Sequence, residues 1–132
     1  MRVPIAAFLL TTVLIGQAAG AEWVKGGTDS KERVLFENNT LKISDNSVKV
    51  WLDHVATKQV AGHSVAGYRE FVEIDCNNNH YRSINASYYD RSGKEFVKTL
   101  SPEEKSWKRT TPSSVMSTTV RKICSKIKAD KK

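Results

Sequence analysis

The fold is decided by the stretch FVEIDCNNNHYR, residues 71–82. Its first half alternates apolar and polar residues, as expected of a half-buried strand, and residues 77–79 form the strongest turn signal in the chain. The chain then returns as a second strand over residues 80–89. The stretch therefore predicts a β-hairpin, with Cys76 at the end of its first strand.

Further strand-like segments lie on both sides of this hairpin. Val48, Val50 and Leu52 alternate with polar or bulky residues, and Gly26-Gly27 is predicted to end a first short strand that starts at Trp23. Other strands are predicted at residues 33–37, 41–43 and 95–98. This regular spacing favours an antiparallel meander. Residues 56–67 lack a clear periodicity, and we predict a mobile loop there that a partner could contact.

One helix is predicted, at the C-terminal end. Pro112-Ser113-Ser114 ends the preceding segment and provides a serine N-cap. Apolar residues then recur on one helical face: Val115, Met116, Thr119, Val120, Ile123, Cys124 and Ile127. The predicted class is α+β, a mainly antiparallel sheet of about five to six strands with one C-terminal helix.

The first 21 residues have the pattern of a secretory signal peptide. Arg2 is followed by an apolar run, and Ala19-Gly20-Ala21 fits a signal-peptidase site, so the mature chain is predicted to begin at Glu22. The apolar core is shorter than the roughly 20 residues that span a bilayer. No cysteine stands at the cleavage point. We therefore expect an exported protein, periplasmic or secreted, without a lipid anchor.

Cys76 and Cys124 are the only cysteines. In an exported chain of this length two cysteines most often pair, because export leads to oxidising compartments. Such a disulfide would tether the helix to the sheet. No C-x-x-C motif is present and no histidine lies at zinc-site spacing from either cysteine, so neither a metal site nor a cofactor is predicted.

The formal net charge of +7 is concentrated at the C-terminal end. Residues 22–120 contribute only +1, and residues 127–132 are predicted to be a basic tail that follows a domain at 22–126. Cations near a helix C-terminus also have a plain structural role, because they interact favourably with the helix dipole. The electrostatic candidates for binding an anionic surface are Lys126, Lys128, Lys131 and Lys132. No nucleic-acid-binding module is visible.

No catalytic residue is predicted. A ribonuclease-like set of Glu73, His80 and Arg82 can be imagined, but His80 lies in or beside a turn. Pairing of Glu73 and Asp75 with arginines on neighbouring strands, Arg69 and Arg82, is the favoured interpretation. The three tryptophans either pack in the core or at its rim, which is the favoured interpretation, or form an exposed binding patch: Trp23, Trp51 and Trp107.

Several short motifs along the chain resemble the surface-adhesin protein E-like domain of bacterial exported proteins. They are Trp23-Val24, Val48-Lys49-Val50-Trp51, Glu73-Ile74-Asp75-Cys76 with Tyr81-Arg82, Tyr89-Asp90-Arg91-Ser92-Gly93, and Trp107 with Pro112, Ser114, Val120 and Cys124. The resemblance covers residues 22–125. It implies an antiparallel sheet with a disulfide-tethered helix, and a role at the bacterial surface, since the founding adhesin binds host extracellular-matrix proteins. That adhesin is a lipoprotein, whereas this signal lacks the lipidation cysteine.

The leading hypothesis is a non-enzymatic binding module, adhesin-like, whose partner is a protein of the envelope or the host matrix. The alternative is a small periplasmic hydrolase or a hydrolase inhibitor. A third hypothesis is electrostatic anchoring by the basic tail. An exposed sheet edge would also permit a homodimer.

Overall fold

The computed structural model describes residues 21–56 and 65–130. The predicted loop at 56–67 and the end of the basic tail, Lys131 and Lys132, lie largely outside these residues. The elements are β1 (Trp23–Thr28), β2 (Glu32–Glu37), β3 (Lys42–Ser44), β4 (Ser47–Ala56), β5 (Val65–Asp75), β6 (His80–Asp90), β7 (Glu95–Lys98), β8 (Lys108–Arg109) and α1 (Val115–Asp130).

All the strands belong to one sheet, whose order is β1-β2-β4-β5-β6-β7. Every pairing in it is antiparallel, which confirms the predicted meander and the α+β class. The short strands β3 and β8 pair with the first residues of β4 and β6, and they account for the strands beyond the five or six expected. The hairpin of residues 71–82 is confirmed: β5 ends at Asp75 and β6 begins at His80.

The core lies between one face of the sheet and α1. Apolar side chains of β2, β4 and β5 meet those of the helix in a single buried cluster. Its fully buried members are Val34, Phe36, Val48, Val50, Leu52, Val72, Ile74, Val120 and Ile123. Ser114 caps the helix as predicted, since its Oγ accepts a hydrogen bond from the backbone N–H of Ser117 at 3.0 Å. The helix continues to Asp130, so part of the segment assigned to the tail is helical.

A disulfide between Cys76 and Cys124 joins the turn after β5 to the buried side of α1, with the Cα atoms 5.7 Å apart. The predicted tether is confirmed. Among the described residues, no helical segment has the length and hydropathy that a bilayer crossing requires.

The two glycines expected to end β1 lie inside it. The helix approaches the strand so closely there that a Cβ on Gly27 would clash with the carbonyl oxygen of Val115. The backbone N–H of Gly27 also donates to Thr119 Oγ1 at 2.9 Å. Here glycine allows a close approach of strand and helix and does not end the strand.

Gly27→Ala is accordingly expected to lower the free energy of unfolding by about 1–3 kcal/mol, because the added methyl group overpacks the contact between β1 and α1. Denaturant unfolding measures the change. Thr28→Ala is the matched control, since Thr28 is exposed at the next position. Equal stability of the two variants would contradict the close approach.

Candidate binding face

The second face of the sheet points away from α1. Because side chains alternate along a strand and paired residues share a face, the register assigns it directly. We call this surface the open face: Trp23, Lys25, Arg33, Leu35, Glu37, Lys49, Trp51, Asp53, Arg69, Phe71, Glu73, Arg82, Ser87, Tyr89 and Glu95. All described strands belong to the one sheet and the described helix packs on the other face, so neither covers it.

Aromatic rings and arginines interleave on the open face. Arg69 lies between two rings, with its Cζ 5.5 Å from the ring centroid of Trp23 and 5.3 Å from that of Tyr89. The rings of Trp51 and Phe71 pack together, with their centroids 5.1 Å apart. These contacts arise because β1, β4, β5 and β6 bring their outward positions side by side, and cation–π attraction favours the arginine positions.

A second cation–π contact continues the surface toward the edge. The Cζ of Arg82 lies 5.0 Å from the ring of Trp107, whose residue is 44% exposed. The favoured interpretation placed the tryptophans in the core or at its rim, but none belongs to the core cluster or to the partly buried side chains packed against it. Their place follows from strand parity: Trp51 lies between the buried Val50 and Leu52 and so points outward.

Arg69 lies beside the buried carboxylate of Asp53, and one of its hydrogen-bond donors is unpaired. Its Nε is 3.6 Å from Asp53 Oδ2, too long for a hydrogen bond, and this buried nitrogen has no hydrogen-bond partner. Tyr89 donates its hydroxyl to Asp53 Oδ1 at 2.7 Å. Burial, followed by this bond to Asp53, raises the pKa of Tyr89. The hydroxyl therefore stays protonated and fixes Asp53 under the arginine.

A cavity of about 550 Å³ opens on this face. Its lining residues are Ala21, Trp23, Glu37, Asn39, Thr40, Trp51, Arg69, Ser87 and Glu95. Mostly apolar walls with a few convergent polar groups are typical of ligand pockets of this size.

The exposed charges of the open face are mainly positive. Lys25, Arg33 and Lys49 are exposed, and the side chains of Arg69 and Arg82 remain 41% and 43% exposed. Its acids are mostly covered or paired: the side chains of Asp53 and Glu73 are only 10% and 16% exposed, and Glu95, which is 54% exposed, lies beside Arg69. A partner therefore meets cations and aromatic rings first.

Of the imagined hydrolase set, Glu73 and Arg82 form an ion pair with each other. Glu73 accepts from Arg82 at 2.7 and 2.9 Å and from Ser47 Oγ at 2.9 Å. Burial by itself raises the pKa of Glu73, but these bonds outweigh it and lower the pKa, which is unsuitable for a general base at neutral pH. Neither His80 nor Arg82 is among the lining residues of the 620 Å³ cavity beside Glu73.

The expected cross-strand ion pairs are found in part. Glu73 pairs with Arg82, as predicted, whereas Arg69 lies beside Asp53 and Glu95. Asp75 accepts from the backbone N–H groups of Asn77 and Asn78 in the hairpin turn. Asp75 therefore stabilises a turn.

The two described lysine candidates, Lys126 and Lys128, lie apart from the open face. Lys126 and Lys128 are exposed on α1, on the other side of the sheet, and Lys131 and Lys132 follow the described residues. The open face and the basic end of the helix are thus separate candidate surfaces.

A buried polar network was missed by the sequence interpretation. On the helix-side face, His54 Nδ1 contacts Glu32 Oε1 at 2.7 Å and Nε2 contacts Glu70 Oε1 at 2.8 Å. The hydroxyl of Ser83 donates to Glu70 Oε2 at 2.5 Å. The ring of Tyr68 stacks on the His54 imidazole, with the two centroids 4.3 Å apart. Both ring nitrogens bind carboxylates and the serine does not contact His54, so this is an ion-pair network and lacks the serine–histidine contact of a nucleophilic site.

A rigid tethered sheet that presents an open aromatic and cationic face is typical of a binding domain. The chain belongs to the surface-adhesin protein E family, whose family model matches residues 23–125. This match confirms the resemblance carried by the sequence motifs, and the family suggests an adhesin-like surface protein. No curated protein and no solved structure matches the chain.

Proposed function

We propose that this protein is a non-enzymatic, exported bacterial binding module, adhesin-like, whose open face contacts a protein partner with an acidic exposed surface. The observation that carries the proposal is the interleaving of Arg69 and Arg82 with Trp23, Tyr89 and Trp107 on a face that no described strand or helix covers. The partner belongs to the bacterial envelope or to the host extracellular matrix, as the surface-adhesin family suggests.

The composition of the open face supports a protein partner. Tryptophan, tyrosine and arginine are the residues most enriched at the energetic centres of protein interfaces. Each is already positioned by a neighbour, as Arg69 is by the rings on either side, so little side-chain freedom is lost on binding. The exposed lysines and arginines around them favour an acidic surface by charge complementarity.

The signal pattern and the disulfide support export. Disulfides form and persist in oxidising compartments outside the cytoplasm, and the Cys76–Cys124 bridge fastens the helix to the sheet. We place the protein in the periplasm or outside the cell, without a lipid anchor, because the residue at the predicted cleavage point is Glu22 and a lipid anchor needs a cysteine there.

The contacts of the acidic and basic groups support a non-enzymatic role. Glu73 is bound by Arg82 and Ser47, and both nitrogens of His54 are bound by carboxylates. A general base needs a free lone pair near a substrate. Nothing in these arrangements favours the hydrolase alternative.

Charge reversal on the open face tests the proposal. Binding of the chain that begins at Glu22 is measured by surface plasmon resonance against a panel of purified host matrix proteins and envelope proteins. For the partner that binds, Arg33→Glu with Lys49→Glu is expected to weaken affinity by at least about tenfold, because repulsion replaces attraction at exposed positions. The thermal midpoint should change little, since both side chains are exposed.

Lys126→Glu with Lys128→Glu is the matched control, with the same change in charge on α1. It is expected to leave the affinity unchanged. A loss confined to this control would identify anchoring by the basic helix end and would reject the open face. Absence of binding to every protein of the panel would reject the proposed function.

A further inference from the structure

Glu37 is a buried carboxylate at the end of β2, only 4% exposed. Its Oε1 accepts from the backbone N–H and the hydroxyl of Thr40, both at 2.7 Å. Its Oε2 accepts from the backbone N–H groups of Glu22 at 2.5 Å and Asn39 at 3.3 Å. Burial by itself raises the pKa of Glu37, but these bonds outweigh it and lower the pKa. The carboxylate is therefore charged at neutral pH.

The other buried carboxylates have cationic partners, and Glu37 differs from them. Glu70 contacts His54, and Asp53 lies beside Arg69. Within residues 21–56 and 65–130, no lysine, arginine or histidine nitrogen lies within 4 Å of the Glu37 carboxylate. Buried charges in proteins are normally paired, because an unpaired one is costly to desolvate.

The residue that reaches Glu37 is the first one after the predicted signal-peptidase site. Glu22 is also held on its other atoms: its carbonyl accepts from the backbone N–H of Asn38 at 2.8 Å, and its carboxylate accepts from Asn38 Nδ2 at 2.9 Å. The end of β2 and the turn after it thus bind the backbone and the side chain of the first residue of the predicted mature chain.

We propose that Glu37 and the turn of residues 38–40 form a binding site for an α-ammonium group, and that its ligand is the N-terminus of the mature chain. Hydrolysis of the Ala21–Glu22 peptide bond by a signal peptidase consumes one water and leaves a carboxylate on Ala21 and an amine on Glu22. The amine takes up a proton at neutral pH. Cleavage thus turns a neutral N–H donor into the counter-ion that Glu37 lacks.

The ion pair has two structural consequences. It fastens the start of β1, which is an edge strand of the sheet, and it fixes Trp23 next to Arg69. Cleavage also removes Ala21 from the wall of the 550 Å³ cavity. The inference rests on the predicted cleavage site and holds whether or not the open face binds a protein.

Four forms of the natural sequence test the site without any substitution. The chain begins either at Glu22 or at Gly20, and its amine is either free or acetylated. Acetylation of the chain that begins at Glu22 keeps an N–H donor for Glu37 but removes its charge, so it is expected to lower the thermal midpoint by about 3–6 °C, as for the difference between a charged and a neutral hydrogen bond. Acetylation of the chain that begins at Gly20 is the matched control and should shift the midpoint by less than about 1 °C, because that amine is two residues away.

Glu37→Gln in the chain that begins at Glu22 tests whether this carboxylate is the partner. The variant should abolish the effect of acetylation, and NMR should show the Glu22 amine titrating at lower pH than in the natural sequence. Glu103→Gln, an exposed acid with the same change in charge, should alter neither.

Three results would overturn the proposal. They are equal effects of acetylation on both starting points, an unchanged amine titration in Glu37→Gln, and an intact mass of the natural exported protein that places its first residue elsewhere than Glu22. Each of these is independent of partner binding, so it leaves the proposed function to its own test.

Discussion

His54→Ala is expected to lower the free energy of unfolding by about 3–5 kcal/mol, because it leaves two carboxylates without their shared cation. His54 is 4% exposed and Glu70 is 7% exposed, so water cannot replace the lost partner. The side chain of Glu32 is 37% exposed, so solvent screens its interaction with His54 and little stability is lost there. Most of the effect should therefore come from Glu70. Urea unfolding at pH 6 measures the loss.

A double-mutant cycle separates the ion pair from simple packing. If the penalty is an unpaired buried charge, His54→Ala in a Glu70→Gln background should cost markedly less than in the natural sequence. His80→Gln is the control, since His80 lies near the hairpin turn and is expected to change stability by no more than about 0.5 kcal/mol. Equal costs of His54→Ala in both backgrounds would contradict the ion-pair role.

The same network predicts how stability depends on pH. Burial by itself lowers the pKa of His54, but the hydrogen bonds and charges of Glu32 and Glu70 outweigh it and raise the pKa from 6.5 to about 9. The folded protein thus holds this proton more tightly than the unfolded chain. The contribution of His54 is fully present below pH 6.5 and is lost as the pH rises through about 9.

The contribution of Glu70 to stability depends on pH with the opposite sign. Burial alone raises the pKa of Glu70, yet its bonds to His54 and Ser83 leave the pKa below the ordinary value of 4.5. Its contribution is therefore present above pH 4.5 and is lost as the pH falls.

On the alkaline side, loss of the His54 proton should lower the free energy of unfolding by roughly 3 kcal/mol between pH 6.5 and 9. In His54→Ala this decline should disappear, and its persistence would mean that another group titrates.

Strand parity explains both what the sequence predicted and what it missed. The alternation of Val48, Val50 and Leu52 predicted β4 and its buried face, and His54 is simply the next residue of the same parity. Glu70 likewise continues the buried positions of Val72 and Ile74. A polar residue at a buried position signals a polar network. Naming its partners requires the order and register of β2, β4 and β5, which no local pattern carries.

Prediction of the open face from the sequence met the same difficulty. Strand parity places Trp51 outward, but whether it belongs to a binding surface depends on the neighbouring side chains, which only the order of the strands in the sheet defines. Arg69 lies between Trp23 and Tyr89 only because β1 and β6 are on opposite sides of the central strands. The glycines of β1 were misinterpreted for a related reason, since their close contact with α1 is a tertiary property.

The disulfide was the long-range contact that the sequence did predict, and its removal should have the second large effect. Cys76 and Cys124 are 48 positions apart, and closing a loop of that length lowers the entropy of the unfolded chain by an amount worth about 4 kcal/mol. Replacing both cysteines with alanine is expected to lower the thermal midpoint by about 15–25 °C. Alanine avoids placing a polar group at the buried position of Cys124.

The reduced natural sequence is the control, because it loses the cross-link but keeps the sulfur atoms. The reduced form and the double alanine variant should melt close together, well below the oxidised protein, if the loss comes from the cross-link. Val120, Ile123 and Ile127 still bury their side chains against the sheet, so both forms should keep their helix, which far-ultraviolet circular dichroism can follow at low temperature. A reduced protein that melts within a few degrees of the oxidised one would show that this apolar contact holds the helix by itself, and that the bridge adds little to the scaffold beneath the open face.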